Sequence, residues 1–297
     1  MNAEAAAALA RLPPLKTTLA EAGLLADKRL GQHFLFDLNL CRKIARLSEV
    51  GPEDVVVEVG PGPGGLTRAL LETGARVVAF ERDPRFSEVL APLGQCCPGR
   101  FSLIQDDAMR VDEAAALRGV TGSESAHLVS NLPYNVGTAL FLKWVLGSWR
   151  PDSLTLMFQR EVAERIVAAP GAGAYGRLSI IAQTLCEARI VMDLPARAFT
   201  PPPKVDSAVI RARPRPVRPP DPEISALETL TAAAFGQRRK MLRSSLKAFG
   251  GADLCRAASL NPDARAETVP PDAFLHLART WLATRSDAPP HPGITGK

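Results

Sequence analysis

The sequence predicts an α/β domain with a mainly parallel sheet, followed by a small helical domain. Over the first two thirds of the 297 residues, short apolar runs alternate with segments of helical periodicity. Strands that alternate with helices indicate crossover connections between parallel strands. A proline-rich segment then precedes a part in which only helical patterns remain. The hydrophobic content of 46% is that of an ordinary globular protein, so the chain can bury a sizeable core.

Seven apolar runs predict the strands of the sheet. They are Val55–Val59, Val77–Phe80, Phe101–Ile104, His127–Ser130, Leu154–Phe158, Glu187–Met192 and Asp206–Ala212. The first reads VVVEV, and such near-continuous apolar strands are typical of a sheet that is covered on both faces. The last lies within VDSAVIRA, whose alternation favours an antiparallel or edge strand.

The prolines and the helical patterns divide the chain into five segments. We expect a flexible N-terminal extension at 1–23, disordered up to about Arg11, and the α/β domain at 24–213. The stretch RPRPVRPPDPE contains five prolines, which exclude a helix or an inner strand and predict a linker at 214–223. A helical domain at 224–285 and a disordered tail at 286–297 follow. The predicted helices are Ile224–Phe235, Arg238–Phe249, Asp253–Ala258 and Pro271–Thr284.

The net charge of +5 is concentrated near the C-terminus. From Pro214 to Lys297 the sequence has 12 basic and 8 acidic residues. A basic end on a nearly neutral body indicates a polyanionic partner such as nucleic acid. A merely solvated basic surface is the alternative that composition alone leaves open.

The composition disfavours metal binding and membrane insertion. The five cysteines are scattered, none forms a C-x-x-C pair, and the four histidines are dispersed, so we expect no zinc site. The thiols are expected to be reduced and buried. No run approaches the ~18 apolar residues of a membrane span, and the N-terminus lacks the pattern of a signal peptide. We therefore expect a cytoplasmic protein.

A glycine-rich loop follows the first strand. It contains Gly60, Gly62, Gly64 and Gly65, and a helical pattern comes next. Such a loop lets a ligand approach the backbone, and the following helix N-terminus offers free N–H groups to a carboxylate or phosphate. The spacing Gly60-x-Gly62-x-x-Gly65 also satisfies the dinucleotide fingerprint, so the loop alone does not distinguish between cofactors.

Acidic residues end the next two strands. Glu81 follows VVAF, at a place where a carboxylate accepts hydrogen bonds from ribose hydroxyls, and it fits NAD and S-adenosylmethionine equally. Asp107, in LIQDDAM, is placed to receive the amino group of an adenine ring, with Met109 packing nearby. The alternative is that Asp107 caps the next helix.

The fourth strand ends in LVSNLPYN, an unusual way to end a buried strand. A dehydrogenase has no evident use for this turn, whereas a methyltransferase that acts on a planar exocyclic amine does. The side-chain oxygen of Asn131 and the carbonyl of Leu132 can each accept one N–H of such an amine. This favours a pyramidal nitrogen whose lone pair points at the methyl donor. Pro133 fixes the turn, and Tyr134 offers a ring face on which a base can stack.

Together these motifs resemble those of the bacterial small-subunit (16S) ribosomal RNA adenine dimethyltransferases, which are class I S-adenosylmethionine-dependent methyltransferases. The resemblance runs from about Leu24 to Trp281 and includes further stretches in the family's order. These stretches are 28–35 (KRLGQHFL), 159–166 (QREVAERI), 170–171 (PG), 175–179 (YGRLS), 199–207 (FTPPPKVDS) and 234–240 (AFGQRRK).

The resemblance implies a Rossmann-like fold with a seven-stranded, mostly parallel sheet and a helical, RNA-binding C-terminal domain. It implies two successive methylations on each of two adjacent adenosines near the 3′ end of 16S rRNA, within an immature small ribosomal subunit. The implied cofactor is S-adenosyl-L-methionine, with no metal. The protein is expected to be a monomer.

Position by position, the resemblance also implies the site residues. The implied cofactor contacts are His33, Leu35, Gly60, Gly62, Glu81, Asp107 and Asn131. The implied catalytic residues are Asn131, Leu132, Pro133, Tyr134 and Phe199. Asp106 precedes Asp107, and the Asp-Ala-Met match favours Asp107 as the acid that meets the adenine ring. Phe199 would form a second wall around a flipped adenine, opposite Tyr134, or would be an ordinary core phenylalanine.

Basic residues in two places are expected to bind RNA. Lys204 lies in the FTPPPKVDS stretch and either meets a phosphate or is only exposed. The others recur at helical spacings and predict a basic helix face; they are Arg238, Arg239, Lys240, Arg243 and Lys247. Each phosphate that such residues neutralise steepens the salt dependence of binding.

Three alternatives remain open from the sequence. A 23S rRNA adenine methyltransferase of the macrolide-resistance type shares the cofactor loop and a similar Asn-x-Pro-Tyr turn. The FTPPPKVDS stretch and the C-terminal domain favour the small-subunit type over it. An NAD dehydrogenase would leave the Asn-Leu-Pro-Tyr turn unexplained. A non-catalytic assembly factor would use the same fold only to bind ribosomal RNA.

Overall fold

The computed structural model describes residues 3–26, 31–237 and 239–286. Within these ranges the chain forms nine strands and thirteen α-helices. The strands are β1 (Phe34–Leu35), β2 (Val55–Val59), β3 (Arg76–Phe80), β4 (Phe101–Ile104), β5 (His127–Asn131), β6 (Ser153–Gln159), β7 (Cys186–Leu194), β8 (Phe199–Thr200) and β9 (Ser207–Pro214). The helices are α1 (Ala3–Ala10), α2 (Leu15–Glu21), α3 (Leu38–Ser48), α4 (Gly65–Glu72), α5 (Ser87–Cys96), α6 (Glu113–Thr121), α7 (Gly137–Leu146), α8 (Arg160–Val167), α9 (Arg177–Leu185), α10 (Asp221–Gly236), α11 (Leu242–Ser245), α12 (Gly251–Ala257) and α13 (Pro271–Ser286).

Seven strands form one sheet in the order β4-β3-β2-β5-β6-β9-β7. Among them β9 alone runs antiparallel to its neighbours β6 and β7, and the other pairs are parallel. The predicted α/β, mostly parallel sheet is therefore confirmed, and all seven predicted apolar runs fall on its strands. The prediction that the last run is antiparallel is also confirmed, although the edge position belongs to β7.

The strand order reverses direction at β2. β3 lies on one side of β2 and β5 lies on the other, so their connecting chains leave the sheet in opposite directions. In open α/β sheets this reversal leaves a crevice at the carboxyl ends of the strands, and ligands bind there. The glycine loop follows β2 and Asn131 ends β5, so both meet at this crevice.

Residues 3–23 are ordered and contain two helices, contrary to the flexible extension predicted at 1–23. Leu9 and Leu19 are buried in the same hydrophobic cluster as the core residues of α3 and α4. Their spacing, together with Leu12 and Leu15, gives an apolar stripe that continues from α1 into α2 across two prolines. In addition, the Arg68 guanidinium donates a hydrogen bond of 2.8 Å to the carbonyl of Pro13. The alanine-rich composition concealed this stripe.

The chain divides into two compact units. The first contains residues 1–164 and 186–214, and the second contains Arg165–Leu185 together with the chain from Arg215 onward. The chain passes between the two units for the last time at 214/215, and residues 165–185, which were expected in the α/β domain, belong to the helical unit. The reason is that Tyr175 and Ile180 pack in the hydrophobic cluster of the second unit. The Tyr175 hydroxyl also donates to the carbonyl of Val269 at 2.8 Å.

The proline-rich linker is shorter than predicted. Pro214 still belongs to β9 and Asp221 begins α10, so the connection is 215–220. The predicted disordered tail starts at Ser286, which ends α13, and residues 287–297 lie outside the described residues.

The predicted helix Arg238–Phe249 is wrong for most of its length. Among the described residues 239–249, only α11 is α-helical, and Lys247–Phe249 form a turn of 3₁₀ helix. The backbone N–H of Leu242 donates to the carbonyl of Ala264 at 2.8 Å, and Met241 pairs with Arg265 in an isolated β-bridge. These tertiary partners replace the helical hydrogen bonds that the sequence pattern suggested.

Other expectations concern the thiols and the membrane. All five cysteines are free thiols; four are buried and Cys96 is half-buried. In the described part of the chain, no helix has both the length and the apolar character needed to cross a membrane.

Leu19→Ala tests whether the N-terminal helices are part of the core. Leu19 is 5% exposed, and removing its buried side chain should lower the free energy of unfolding by about 2–5 kcal/mol. Leu25→Ala is the matched control, because Leu25 is 81% exposed and its loss should change stability by less than about 0.5 kcal/mol. Urea denaturation of both variants gives the comparison. Equal stabilities would contradict the packing of α2.

Candidate active site

A cavity of about 480 Å³ opens at the crevice between β2 and β5. Most of its wall comes from five segments, 31–35, 58–63, 80–85, 106–109 and 131–136. The first of them, residues 31–35, precedes and includes β1 and is called the strap below. The other four lie at the carboxyl ends of β2, β3, β4 and β5. Consecutive strands thus converge on one site.

The glycine loop forms the floor beside β2. Gly60, Gly62 and Gly64 have φ angles of +67°, +52° and +83°, which favour glycine over any residue with a Cβ. A Cβ at Gly65 would lie 2.8 Å from the carbonyl oxygen of Leu35, so this position also has to be bare. Gly65 begins α4, whose first N–H groups have no partner within the helix.

Glu81 is held by the backbone of this loop. Its carboxylate accepts from the N–H of Gly62 at 3.2 Å and from the N–H of Asp83 at 2.9 Å. The side chain is buried, and burial raises the pKa of Glu81. Because each carboxylate oxygen has two lone pairs, both oxygens retain capacity to accept a further hydrogen bond.

Glu58 also lines the cavity, and the sequence analysis did not single it out. It is 2% exposed, and one of its carboxylate oxygens has no hydrogen-bond partner. Burial raises the pKa of Glu58 to about 8, and the nearby Glu81 charge adds to this shift. The available signal was an acid inside the apolar run VVVEV, two residues before the first glycine.

Asp106 and Asp107 both line the cavity after β4. Asp107 is half-buried, accepts from the N–H of Met109 at 3.0 Å, and lies 3.5 Å from the Arg82 guanidinium. The alternative that Asp107 caps the next helix is wrong, because the N-cap of α6 is Asp112. Which of the two acids meets an adenine ring stays a prediction.

The Asn131 side chain is oriented by the strap. Its amide nitrogen donates to the carbonyl of His33 at 3.1 Å. Only the –NH₂ group can donate to a carbonyl, so this bond fixes which end of the amide is which. The side-chain oxygen is therefore the acceptor that Asn131 can offer to a ligand in the cavity.

The turn 131–136 places Tyr134 beside the cavity. The carbonyl of Pro133 accepts from the N–H of Gly137 at 3.0 Å, which closes the turn onto the start of α7. The Tyr134 hydroxyl is hydrogen-bonded to the buried hydroxyl of Ser207, and burial raises the pKa of Tyr134, so the phenol stays protonated. The Leu132 side chain is buried beneath the turn.

The imidazole of His33 stacks on Tyr134. The ring centroids are 5.1 Å apart and the planes are inclined by 28°. Nδ1 of His33 lies 2.7 Å from the carbonyl of Pro201, so Nδ1 carries a proton and donates it to that oxygen. One face of Tyr134 is thus already in contact with an aromatic ring.

Phe199, which was expected at the site, is not on the cavity wall. Phe199 is 2% exposed and packs in the hydrophobic cluster that contains Leu35 and Val209. β8 pairs with β1 in the register Leu35↔Phe199, which turns this ring into the core and leaves no face for a base. Lys204, which was expected to meet an RNA phosphate or only to be exposed, is exposed, and its contact with RNA stays a prediction.

The four described residues of the predicted basic helix face do not form one, because only Arg243 lies on an α-helix. Arg239 and Lys240 are exposed in the turn before α11, and Lys247 is exposed after it. Arg243 pairs with Asp263 at 2.9 Å. Arg238 lies outside the described residues. In the part of the chain that the structure describes, no three histidine, cysteine, aspartate or glutamate side chains are grouped as a metal site.

The chain matches the family model described as ribosomal RNA adenine dimethylase over residues 23–282. A ribosomal RNA small subunit methyltransferase A from Phenylobacterium zucineum is 62% identical over 277 residues, which are 93% of this chain and 95% of that relative. The protein of the same name from Caulobacter vibrioides is 64% identical over 258 residues, which are 87% of this chain and 98% of the relative.

Solved structures of methyltransferases have the same fold. A dimethyladenosine transferase from Plasmodium falciparum aligns with a TM-score of 0.66 and 22% identity, over 82% of this chain and 96% of that one. The 23S rRNA methyltransferase ErmE aligns with a TM-score of 0.63 and 26% identity, over 84% of this chain and 99% of that one. The predicted Rossmann-like methyltransferase fold is therefore confirmed.

Glu58→Gln tests the buried carboxyl. In the unfolded chain Glu58 has its ordinary pKa of 4.5 and is ionised at any higher pH. In the folded protein its pKa is about 8. Between these values ionisation favours the unfolded chain. The stability of the natural protein relative to the variant should therefore fall as the pH rises from about 5 to about 8, by on the order of 4 kcal/mol.

Chemical denaturation at several pH values across this window measures the difference. Glu53→Gln removes a carboxyl at an exposed position of the loop before β2 and is the matched control. A stability difference between natural protein and Glu58→Gln that stays constant over the window would contradict the buried, protonated state.

Proposed function

The chain belongs to the ribosomal RNA adenine dimethylase family, and from this premise we propose how its site works and on which RNA. We propose that it dimethylates the exocyclic amines of two adjacent adenosines near the 3′ end of 16S rRNA, in the immature small ribosomal subunit. The methyl donor in this proposal is S-adenosyl-L-methionine. The orientation of Asn131 by the carbonyl of His33 is the observation that supports this chemistry most directly.

Sequence identity supports the small-subunit substrate over the large-subunit one. Relatives named ribosomal RNA small subunit methyltransferase A reach 62% and 64% identity, whereas the 23S rRNA methyltransferase ErmE reaches 26% at similar coverage. The macrolide-resistance type of activity is therefore the weaker alternative. Ribosomal subunits are assembled in the cytoplasm, where we propose that the protein acts as a monomer.

The donor groups of the cavity suit S-adenosylmethionine. Glu81 offers acceptors for ribose hydroxyls, and Asp107 offers one for the amino group of an adenine ring. The glycine loop exposes backbone N–H groups at the start of α4 for a carboxylate. Apart from the protonated Glu58, the described part of the wall carries four acidic side chains against two arginines, and this excess of negative charge suits a ligand that carries a sulfonium. When bound, the cofactor supplies an electrophilic methyl group.

Asn131 and Leu132 prepare the amine of the target base. The Asn131 side-chain oxygen and the Leu132 carbonyl each accept one N–H of the amine, which localises its lone pair on nitrogen and directs it at the methyl group. Asn131 and Leu132 would hold the amine in line with the methyl group that the bound cofactor would supply, and the transfer would move the positive charge from sulfur to nitrogen. The extra proton leaves to water afterwards. Catalysis in this proposal rests on positioning, which requires that the Asn131 amide cannot rotate.

Tyr134 stacks on the flipped base. His33 covers one face of its ring and the Ser207 hydroxyl holds the phenol, so the base takes the remaining face. Base–aromatic stacking contributes about 1–3 kcal/mol. The buried position of Phe199 gives no support to a second aromatic wall.

A non-catalytic assembly factor is the second candidate function. It is supported by the exposed basic residues of the helical unit, which need no cofactor to meet RNA phosphates. The two functions separate experimentally, because an assembly factor binds small subunits without methylating them.

Asn131→Ala tests the amine site. Loss of one preorganised acceptor should lower kcat by about 10²–10³ while small-subunit binding stays unchanged. The measurement is mass spectrometry of nucleosides after incubation with labelled S-adenosylmethionine and unmethylated small subunits. Asn39→Ala, an exposed asparagine on α3, is the matched control.

Parallel reactions with large subunits identify the substrate. Dimethyladenosine from small subunits alone, strongly reduced in Asn131→Ala and unchanged in Asn39→Ala, is the expected result. Product from large subunits would instead favour the 23S type. No product from either particle, with small subunits still bound, would leave the assembly factor.

Arg239→Ala and Lys240→Ala test RNA binding by the helical unit. Each substitution should weaken small-subunit binding and reduce the slope of log K against log salt by about one unit. Arg256→Ala is the control, because the Arg256 charge is already paired with Asp253 at 2.6 Å. Filter binding at several salt concentrations gives the slopes. Unchanged slopes in both variants would place the RNA contacts elsewhere.

A further inference from the structure

Lys143 on α7 donates three short hydrogen bonds. Its ammonium contacts the carbonyl of Ala108 at 2.7 Å, the carbonyl of Val111 at 2.6 Å and the Glu113 carboxylate at 2.8 Å. An ammonium has three N–H donors, so this side chain is fully satisfied. Two of its three partners are main-chain carbonyls of a single loop.

That loop carries the acidic residues after β4. Asp107 and Met109 flank Ala108, and all three line the cavity. The loop's own hydrogen bonds are local: the N–H groups of Arg110 and Val111 both turn back to the carbonyl of Asp107. Lys143 therefore connects two main-chain carbonyls of this loop to α7.

The same helix begins directly after the Asn131 turn. Gly137, the first residue of α7, donates to the carbonyl of Pro133. Lys143 lies six residues further along, about 9 Å at the rise of an α-helix. One helix thus holds both the turn that meets the target amine and the loop at the adenine end of the cofactor site.

We propose that Lys143 is a positioning residue that sets the loop 107–111 for the adenine ring of the cofactor. This inference rests on the proposed function. Lys143 does not line the cavity, and it acts through the carbonyls of Ala108 and Val111. Without these bonds the loop loses its hydrogen bonds to α7, and the Asp107 carboxylate keeps only its contacts with the N–H of Met109 and the Arg82 guanidinium.

If Lys143 only stabilised the fold, its effect would come from its ion pair with Glu113 and not from the loop. Glu113 is buried, and it accepts from Lys143 and from the Trp144 indole N–H at 2.7 Å. Removing the lysine alone leaves this carboxylate without its cation, which destabilises the fold whatever the loop does. The two roles must therefore be separated by neutralising Glu113 at the same time.

The experiment compares Lys143→Met with the double variant Lys143→Met/Glu113→Gln in the full chain. The double variant removes the unpaired buried charge and keeps an acceptor for Trp144, but leaves both loop carbonyls without the lysine. Calorimetry with S-adenosylhomocysteine measures cofactor-site affinity, and thermal unfolding measures stability. Lys43→Met, at an exposed lysine of α3, is the control.

We expect the double variant to regain most of the stability that Lys143→Met loses. Its affinity for S-adenosylhomocysteine should nevertheless remain at least about tenfold weaker, which corresponds to about 1.4 kcal/mol. In methylation assays the KM for S-adenosylmethionine should rise by a similar factor, with kcat at saturation within about threefold of the natural protein. Affinity that recovers together with stability, or that never falls, would overturn the proposal.

Lys143→Arg provides a variant that keeps the charge opposite Glu113. A planar guanidinium cannot reproduce three donors arranged around one nitrogen, so we expect an intermediate loss of affinity in a stable protein. Natural affinity in this variant would count against the proposal. If the natural protein binds S-adenosylhomocysteine but methylates no adenine, the proposed function fails, and the binding data still decide the role of Lys143.

Discussion

The close approach of the Leu35 carbonyl to Gly65 is the constraint on which the cavity depends. A Cβ at Gly65 would lie 2.8 Å from that oxygen, so any side chain there would force the two segments apart. The contact holds the strap 31–35 over the glycine loop, and the strap in turn brings the His33 carbonyl to the Asn131 amide across 98 residues of sequence. Pairing of β1 with β8 at the same place also draws Phe199 into the core.

Much of the sheet could be predicted because most of its strands are buried and therefore appear in the sequence as short apolar runs. β2 lies within the predicted limits, since five mainly apolar residues followed by glycine suit a buried strand that ends at a turn. The segment around α11 could not be predicted, because Leu242 donates to Ala264, 22 residues away, and no local pattern records that partner. The helical periodicity of the sequence was real there, but tertiary hydrogen bonds prevailed over it.

The residues of the site also fall into those that the sequence could predict and those that it could not. Glu81, Asp107 and Asn131 could be identified because they follow successive strands, and parallel strands bring their carboxyl ends together. Lys143 could not, because its partners in the loop 107–111 are main-chain carbonyls, which leave no signature in a sequence. Glu58 looks like an interruption of an apolar strand until the cavity beside it is visible.

The helical unit is assembled from two separate stretches of chain, and this affects when it can form. α9 emerges from the ribosome before β7 and β9, while its partners α10 and α13 are made only afterwards. During synthesis the apolar face around Ile180 therefore stays exposed until residues some 50 to 100 positions later have been made. Such transient exposure favours aggregation or capture by chaperones. For the same reason, cutting the chain at the proline-rich connection would not release a self-sufficient α/β domain. The fragment would retain a helix without its core.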